Sequence, residues 1–220
     1  AYLEPDHRYH EAFSDHFQKV DSVVGEIAGR LQPEDLLVLV SDHGFERLEQ
    51  NVFANAVLRH AGFLRLDADK PRGVKDISDQ ARAFALEPSR IYLHTKERYP
   101  KGCVADPDKP YVLRDIVALF EDMSFEGQPV IKQVFRKEEI YRGPYLEHAP
   151  DLVLLSEYGF NLRGSLTATQ IFASDAFKGK HSRDNAILLV CGDHSSELVP
   201  MQPQVAEVLG VIDRIMAPGA

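Results

Sequence analysis

The sequence lacks tryptophan and has only two cysteines, Cys103 and Cys191, among its 220 residues. Two cysteines are too few for a disulfide scaffold and fit a reducing compartment, so we expect a cytoplasmic protein. No apolar run approaches the roughly 20 residues that cross a bilayer, so no membrane span is expected. A basic surplus is also missing, because the formal net charge is −9. This charge argues against a nucleic-acid polymer as a partner, since such a partner needs a basic face.

Apolar patterns along the chain alternate between helix and strand spacing. Apolar residues recur at helical spacing over residues 13–31 and again over 52–61. Between them, residues 36–40 form a continuous apolar run, which is typical of a central strand covered on both faces. Further strands are expected at 91–94, 129–136, 151–155 and 186–191, and further helices at 111–123 and 204–215. This order predicts an α/β domain with a largely parallel sheet.

An acid and an imidazole follow the apolar run that ends at Val40. Asp42 and His43 lie at the end of a predicted strand, where ligands gather in open α/β sheets. Gly44 directly after them allows the backbone to turn tightly beside a ligand. The alternative interpretation is that Asp42 caps the following turn and His43 packs against it.

A second pair, Asp6 and His10, has a spacing of four residues. On a helical turn this spacing places both side chains on one face, where they could hold a divalent cation or form a surface hydrogen bond. His181 follows a glycine-containing loop and precedes a predicted buried strand, although a lone loop histidine is most often simply exposed. Other histidines are interpreted as solvated or structural: His7 and His16 as solvated, His60 and His94 as structural.

Taken together, these motifs resemble the alkaline phosphatase superfamily. The ordered set is PDHRYH at residues 5–10, SDHG at 41–44, APDL at 149–152 and GKHS at 179–182. Within the superfamily, the chain most resembles the type I phosphodiesterase/nucleotide pyrophosphatase branch. The likeness covers nearly all of residues 2–192, and the ordered set is more specific than any single motif.

The resemblance implies a fold and two metal sites. The implied fold is an alkaline phosphatase-like, mostly parallel sheet flanked by helices. Its core would comprise residues 1–66 and 145–220, and residues 67–144 would form an inserted cap. Two divalent ions are implied, zinc first and manganese as the alternative. Asp6, His10 and His181 would hold one ion, and Asp42 and His43 would hold the other. The three-ligand site is expected to be the better occupied.

The cap segment carries three cationic side chains between the metal motifs. Lys96, Arg98 and Lys101 could contact a substrate phosphate or the leaving group. The alternative is that they belong to a solvated, charged loop.

The resemblance also implies a reaction. We expect hydrolysis of phosphodiester, pyrophosphate or phosphomonoester bonds in a small phosphate-bearing substrate such as a nucleotide, by a two-metal mechanism. The family's Thr or Ser nucleophile would come from a segment upstream of residue 1, so this chain alone is expected to be inactive. The alternatives are a phosphonate or sulfate ester hydrolase, a phosphomutase, or a non-catalytic binding or regulatory module if the natural protein lacks that segment.

Overall fold

The structure is a computed structural model that describes residues 5–68, 73–192 and 202–216. The chain divides into two compact units. Unit 1 comprises Ala1–Phe45 and Ser182–Ala220, and unit 2 comprises Glu46–His181. Residues 193–201, which follow the predicted strand at 186–191, lie outside the described residues.

Helices and strands are numbered in chain order. The helices are α1 (His10–Ala28), α2 (Ala54–His60), α3 (Lys109–Glu121), α4 (Lys137–Ile140) and α5 (Val208–Met216). The strands are β1 (Leu37–Val40), β2 (Gly44–Arg47), β3 (Gln50–Phe53), β4 (Ala83–Glu87), β5 (Arg90–Leu93), β6 (Ser124–Phe125), β7 (Gln128–Pro129), β8 (Ile131–Arg136), β9 (Leu152–Ser156), β10 (Phe160–Arg163), β11 (Phe172–Ala173), β12 (Gly179–Ser182) and β13 (Leu188–Cys191).

In unit 1, β1 pairs with β13 in an antiparallel ladder. Leu37 lies opposite Cys191, and Val40 lies opposite Leu188. Beyond the ladder, the Ser41 N–H donates to the Ile187 carbonyl, and the Ile187 N–H donates to Ser41 Oγ, each over 2.9 Å. Backbone pairing therefore holds the chain in place up to the residue before Asp42.

The apolar surfaces of unit 1 are more exposed than the sequence predicts. Helix α1 has no buried residue, and Phe17 on its apolar stripe is 54 % exposed. Val40 in β1 and Leu189 in β13 are 47 % and 45 % exposed. The apolar runs at residues 36–40 and 186–191 form strands as predicted, but the prediction that both strands are buried is wrong in the described residues. An apolar run indicates that a strand could be buried, but burial also depends on which other elements pack against it.

Unit 2 contains the large hydrophobic core of the described residues. Its main sheet has four antiparallel strands in the order β4-β5-β9-β8, and α3 contacts β8. Val112, Ile116 and Phe120 are the buried residues of α3, and their spacing of four places them on one face of the helix. A second sheet has the order β10-β3-β11, in which β3 runs parallel to β10 and antiparallel to β11.

A buried amide side chain on helix α2 forms hydrogen bonds with two neighbouring segments. Asn55 is fully buried, and its Nδ2 donates to the carbonyls of Ala85 and Gly164 over 2.7 and 2.8 Å. The Ala85 N–H donates back to Asn55 Oδ1 over 2.8 Å. All three hydrogen bonds link residues at least 30 positions apart, so this side chain joins segments distant in sequence.

The predicted α/β class is confirmed as a mixed α/β fold. Strands β3 and β10 pair in parallel, whereas the β1–β13, β3–β11, β4–β5, β5–β9, β6–β7 and β8–β9 pairings are antiparallel. The mostly parallel sheet is therefore not seen in the described residues. Short connections explain part of this, because the turn between β4 and β5 and the turn between β6 and β7 join adjacent strands, which must then run antiparallel. The predicted core and cap boundaries stay a prediction.

The structure also bears on the membrane question. Among the helices of the described residues, none combines the length and the apolar character needed to cross a bilayer.

Candidate metal centre

Asp42 and His43 lie side by side immediately after the β1–β13 ladder. Asp42 Oδ1 lies 3.5 Å from His43 Nε2, and their side chains are 83 % and 39 % exposed, respectively. On the other side of the ring, His43 Nδ1 lies 2.9 Å from the Gly44 carbonyl oxygen. A carbonyl oxygen can only accept, so Nδ1 carries the proton, and in the neutral ring the lone pair is on Nε2.

The separation of these two atoms fits a shared divalent cation. Metal–nitrogen and metal–oxygen bonds of the usual zinc lengths at a tetrahedral angle place the two donor atoms about 3.4 Å apart. The observed 3.5 Å between Asp42 Oδ1 and His43 Nε2 is close to that value. Donation from a histidine's second nitrogen to a carbonyl is also the usual way in which a ligating ring is oriented. The pair supplies two donors of the right chemistry.

Gly44 has a different role from the tight turn expected beside a ligand. Its φ is not positive, and an added Cβ would collide with the Asn185 side chain. Asn185 Nδ2 donates to the Phe45 carbonyl over 2.8 Å. Glycine at this position therefore leaves room for the Asn185 side chain next to the backbone that follows His43.

Asp6 and His10 are placed differently from the predicted helical pair. Helix α1 begins at His10, with Tyr9 as its N-cap, so Asp6 lies in the preceding turn rather than on the helix. The His10 N–H donates to the His7 carbonyl over 2.8 Å, which tightens this turn. The Tyr9 N–H donates to His7 Nδ1 over 3.2 Å, so His7 is part of the turn rather than simply solvated.

His181 lies in β12 rather than in a loop, and it is the last residue of unit 2. Its neighbour Lys180 forms an ion pair with Glu46 over 3.0 Å, with side chains 15 % and 11 % exposed. Lys180 Nζ also donates to Ser156 Oγ and to the Phe160 carbonyl, over 3.2 and 2.5 Å. This network fixes the strand that carries His181, and sequence reasoning missed it because its members come from separate parts of the chain.

In the described residues, the candidate metal ligands do not form a three-ligand cluster within either unit. In the parts of the chain that the structure describes, no three His, Cys, Asp or Glu side chains form a group suited to a metal ion. Asp6, His10, Asp42 and His43 belong to unit 1, whereas His181 belongs to unit 2. The assignment of five ligands to two ions therefore stays a prediction.

Two of the three cationic side chains of the predicted cap are engaged with protein groups. Arg98 pairs with Asp151 over 3.3 Å, and Lys101 pairs with Asp67 over 2.8 Å.

His94 is 3 % exposed, and its Nδ1 contacts the Ala81 carbonyl over 2.9 Å. Burial is the main cause that lowers the pKa of this imidazole. The structural interpretation of His94 is confirmed.

Comparisons with known proteins bear on the family. No curated protein and no solved structure matches the chain. The sequence profile described as type I phosphodiesterase / nucleotide pyrophosphatase matches residues 4–184, which is most of the chain and spans all four motifs. The chain therefore belongs to the type I phosphodiesterase/nucleotide pyrophosphatase family, a part of the alkaline phosphatase superfamily.

Proposed function

We propose that this chain supplies metal ligands for the hydrolysis of phosphodiester or pyrophosphate bonds. Family membership implies a hydrolase acting on bonds of this type. The metal dependence is our own step, and the observation that carries it is the 3.5 Å separation of Asp42 Oδ1 and His43 Nε2 at the end of β1. That separation suits two ligands on one divalent cation.

In the proposed site, Asp42 and His43 hold one ion, and Asp6, His10 and His181 hold the other. Zinc is the proposed metal, with manganese as the alternative, because carboxylate and imidazole donors suit both. When bound, two such ions would act as Lewis acids that stabilise negative charge on the phosphoryl oxygens. Among the chain's own residues, the Gly44 carbonyl accepts from His43 Nδ1 and holds that ring in one orientation.

The further parts of the proposal follow from the same family. The scaffold would be an alkaline phosphatase-like sheet flanked by helices, with residues 67–144 as a cap that contributes to substrate choice. The substrate would be a small phosphate-bearing molecule such as a nucleotide, and its hydrolysis would use a Thr or Ser nucleophile. We propose a cytoplasmic location because the chain uses few cysteines.

A substrate series tests the proposed reaction. Three esters would be compared: the p-nitrophenyl ester of thymidine 5′-phosphate, p-nitrophenyl phosphate and p-nitrophenyl sulfate. The protein would be expressed from its complete reading frame, stripped of metal and then supplied with zinc or manganese. We expect release to be fastest from the diester, to stop after chelation and to return with metal.

Other results would redirect or overturn the proposal. Preference for the sulfate would favour a sulfatase on the same scaffold, and tight metal binding without hydrolysis of any ester would favour a binding module. His16→Ala serves as the matched control for His43→Ala, because His16 is an exposed histidine on α1 outside the proposed site. Equal loss of activity in both variants would contradict the role proposed for His43.

A further inference from the structure

In unit 1, hydrogen bonds fix the backbone immediately before the Asp42–His43 pair. The Ser41 N–H donates to the Ile187 carbonyl, and the Ile187 N–H donates to Ser41 Oγ, each over 2.9 Å. These two bonds extend the β1–β13 ladder by one residue pair. They hold one end of the pair, and the other end needs a support of its own.

Asn185 supports the backbone on the other side of the pair. Its Nδ2 donates to the Phe45 carbonyl over 2.8 Å. Ser182 Oγ donates to Asn185 Oδ1 within the same unit, so both ends of the amide are engaged. The three residues 185–187 therefore hold the chain on both sides of the pair.

Asn185 also lies against the residue that orients the His43 ring. The Gly44 carbonyl accepts from His43 Nδ1 over 2.9 Å. Gly44 is buried, and a Cβ added to it would overlap Oδ1 and Cγ of Asn185. The Asn185 side chain therefore occupies the space beside Gly44 and bonds the carbonyl of Phe45. One side chain thus contacts the residues on both sides of the peptide group whose carbonyl holds the ring.

The orientation of this ring determines which of its nitrogens can bind a metal ion. With Nδ1 donating to the Gly44 carbonyl, the lone pair is on Nε2, which is the atom 3.5 Å from Asp42 Oδ1. If that carbonyl turned away, the ring would lose this acceptor, and the tautomer that has its proton on Nε2 would gain population. A side chain that fixes the Gly44 carbonyl therefore fixes the geometry of the two candidate metal-binding atoms.

We propose that Asn185 is a positioning residue for the Asp42–His43 pair. Through Gly44 and Phe45, it keeps the His43 ring in the orientation that presents Nε2 beside Asp42 Oδ1. This inference rests on the proposed function, because it takes His43 to be a metal ligand, but the orientation of the ring can be tested in the metal-free chain. A purely stabilising role for Asn185 would instead lower stability without changing the His43 ring.

The tautomer of the His43 ring is the direct readout. Two-bond proton–nitrogen NMR correlations distinguish the two tautomers in the 220-residue chain, with EDTA present and at one pH well above the ordinary imidazole pKa of about 6.5. The His43 signals are assigned by their loss in His43→Asn. We expect wild type to hold mostly the Nδ1–H tautomer. Asn185→Ala should lower the ratio of the Nδ1–H to the Nε2–H tautomer about fivefold, which is the factor that one ordinary hydrogen bond contributes.

Two further variants separate positioning from general stability. Asp35→Ala removes another side-chain hydrogen bond of unit 1, in which Asp35 Oδ2 accepts the Gln32 N–H over 2.8 Å, and it should leave the tautomer ratio unchanged. Asn185→Asp keeps the size of the side chain and replaces the donating nitrogen with an oxygen, so the ratio should fall as in Asn185→Ala. This variant also decides the question if Asn185→Ala does not give a folded spectrum.

A zinc titration connects the ring to the proposed metal centre. We expect the weaker of two zinc-binding steps, which is assigned to Asp42 and His43, to become about tenfold weaker in Asn185→Ala. Asp35→Ala should leave this step unchanged. If wild type showed no second step, the proposed ligand role of His43 would fail, and the tautomer comparison would still decide whether Asn185 positions the ring.

The tautomer results decide the proposal in either direction. A wild-type ring that is mostly the Nε2–H tautomer, or an unchanged tautomer ratio in both Asn185 variants, would overturn it. An equal fall of the ratio in Asp35→Ala would also overturn it, because the effect would then follow from a general loss of stability in unit 1.

Discussion

Arg98 and Asp151 form a mostly buried ion pair, with Arg98 Nη1 3.3 Å from Asp151 Oδ2 and side chains 20 % and 11 % exposed. Arg98 Nη2 also donates to the carbonyls of His148 and Ala149, over 2.6 and 3.0 Å. Asp151 accepts the Leu93 N–H over 2.8 Å. The aspartate of the APDL motif therefore connects the end of β5, the loop after it and the start of β9, and its role in unit 2 is structural.

Replacing Arg98 with alanine should destabilise unit 2 strongly. The change leaves the buried Asp151 carboxylate without its closest cation and two carbonyls without a donor, so we expect a loss of about 3 kcal/mol in the free energy of unfolding. Urea denaturation followed by circular dichroism measures this loss. Arg114→Ala is the control, because Arg114 pairs with Asp115 on an exposed helix surface, where such a pair contributes about 0–1 kcal/mol. Similar losses in both variants would contradict this account.

Replacing Asn55 with leucine and replacing Gln50 with leucine should have different effects on stability. Asn55→Leu removes an amide that makes three hydrogen bonds and leaves the Ala85 and Gly164 backbone groups unsatisfied, so we expect a loss of about 2–4 kcal/mol. Gln50→Leu removes an amide whose Oε1 has no partner in the described residues, so stability should be unchanged or slightly higher.

Thermal and urea denaturation of the two variants would be compared with wild type. The free energy of unfolding should fall for Asn55→Leu and should stay the same or rise slightly for Gln50→Leu. Each variant serves as the control for the other. Equal destabilisation would mean that leucine fits poorly at both positions. The hydrogen bonds of Asn55 would then not be the cause.

His94 should make stability depend on pH. Burial lowers the pKa of its imidazole below the ordinary value of about 6.5. Below that value the unfolded chain binds the proton and the folded chain does not, so this stabilisation is present above pH 6.5 and is lost as the pH falls through the lowered pKa. The stability advantage of wild type over His94→Asn should therefore be largest near pH 7.5 and should shrink toward pH 5.

His94→Asn retains an N–H donor where Nδ1 of the ring contacts the Ala81 carbonyl. His16→Asn is the control, because His16 is exposed on α1 and lies outside the hydrophobic core of unit 2. A constant difference for His94→Asn over the same range would rule out His94 as the cause.

Local patterns were enough to predict most of the longer elements. The helical apolar spacing before residue 31 predicted α1, and the runs near residues 36–40 and 186–191 predicted β1 and β13. Strands β3 and β4 were missed, because Gln50–Phe53 runs directly into α2 and Ala83–Glu87 is rich in alanine. Sheet direction was not predictable from apolar runs alone, because it depends on which strands the turns bring together.

The sequence was enough to select Asp42 and His43 as candidate ligands, but it did not predict the contacts that hold them in place. Asp42 and His43 stood out because they follow an apolar run. The Gly44 carbonyl that orients the ring, and the Asn185 side chain that requires the glycine, come from contacts that no local pattern encodes. The same holds for Lys180 and Glu46, which are 134 positions apart in sequence and support the strand of His181.

The most direct test of the central claim is the zinc bound per chain, measured by elemental analysis and calorimetric titration on the 220-residue chain. We predict that wild type binds about one ion tightly and that His181→Ala loses it, because three ligands, Asp6, His10 and His181, are proposed for that ion and only two for the other. His16→Ala should keep the ion, and His43→Ala should remove any second, weaker ion. If wild type bound neither zinc nor manganese at concentrations on the order of micromolar, the five residues would not be metal ligands in this chain, and the account would be contradicted.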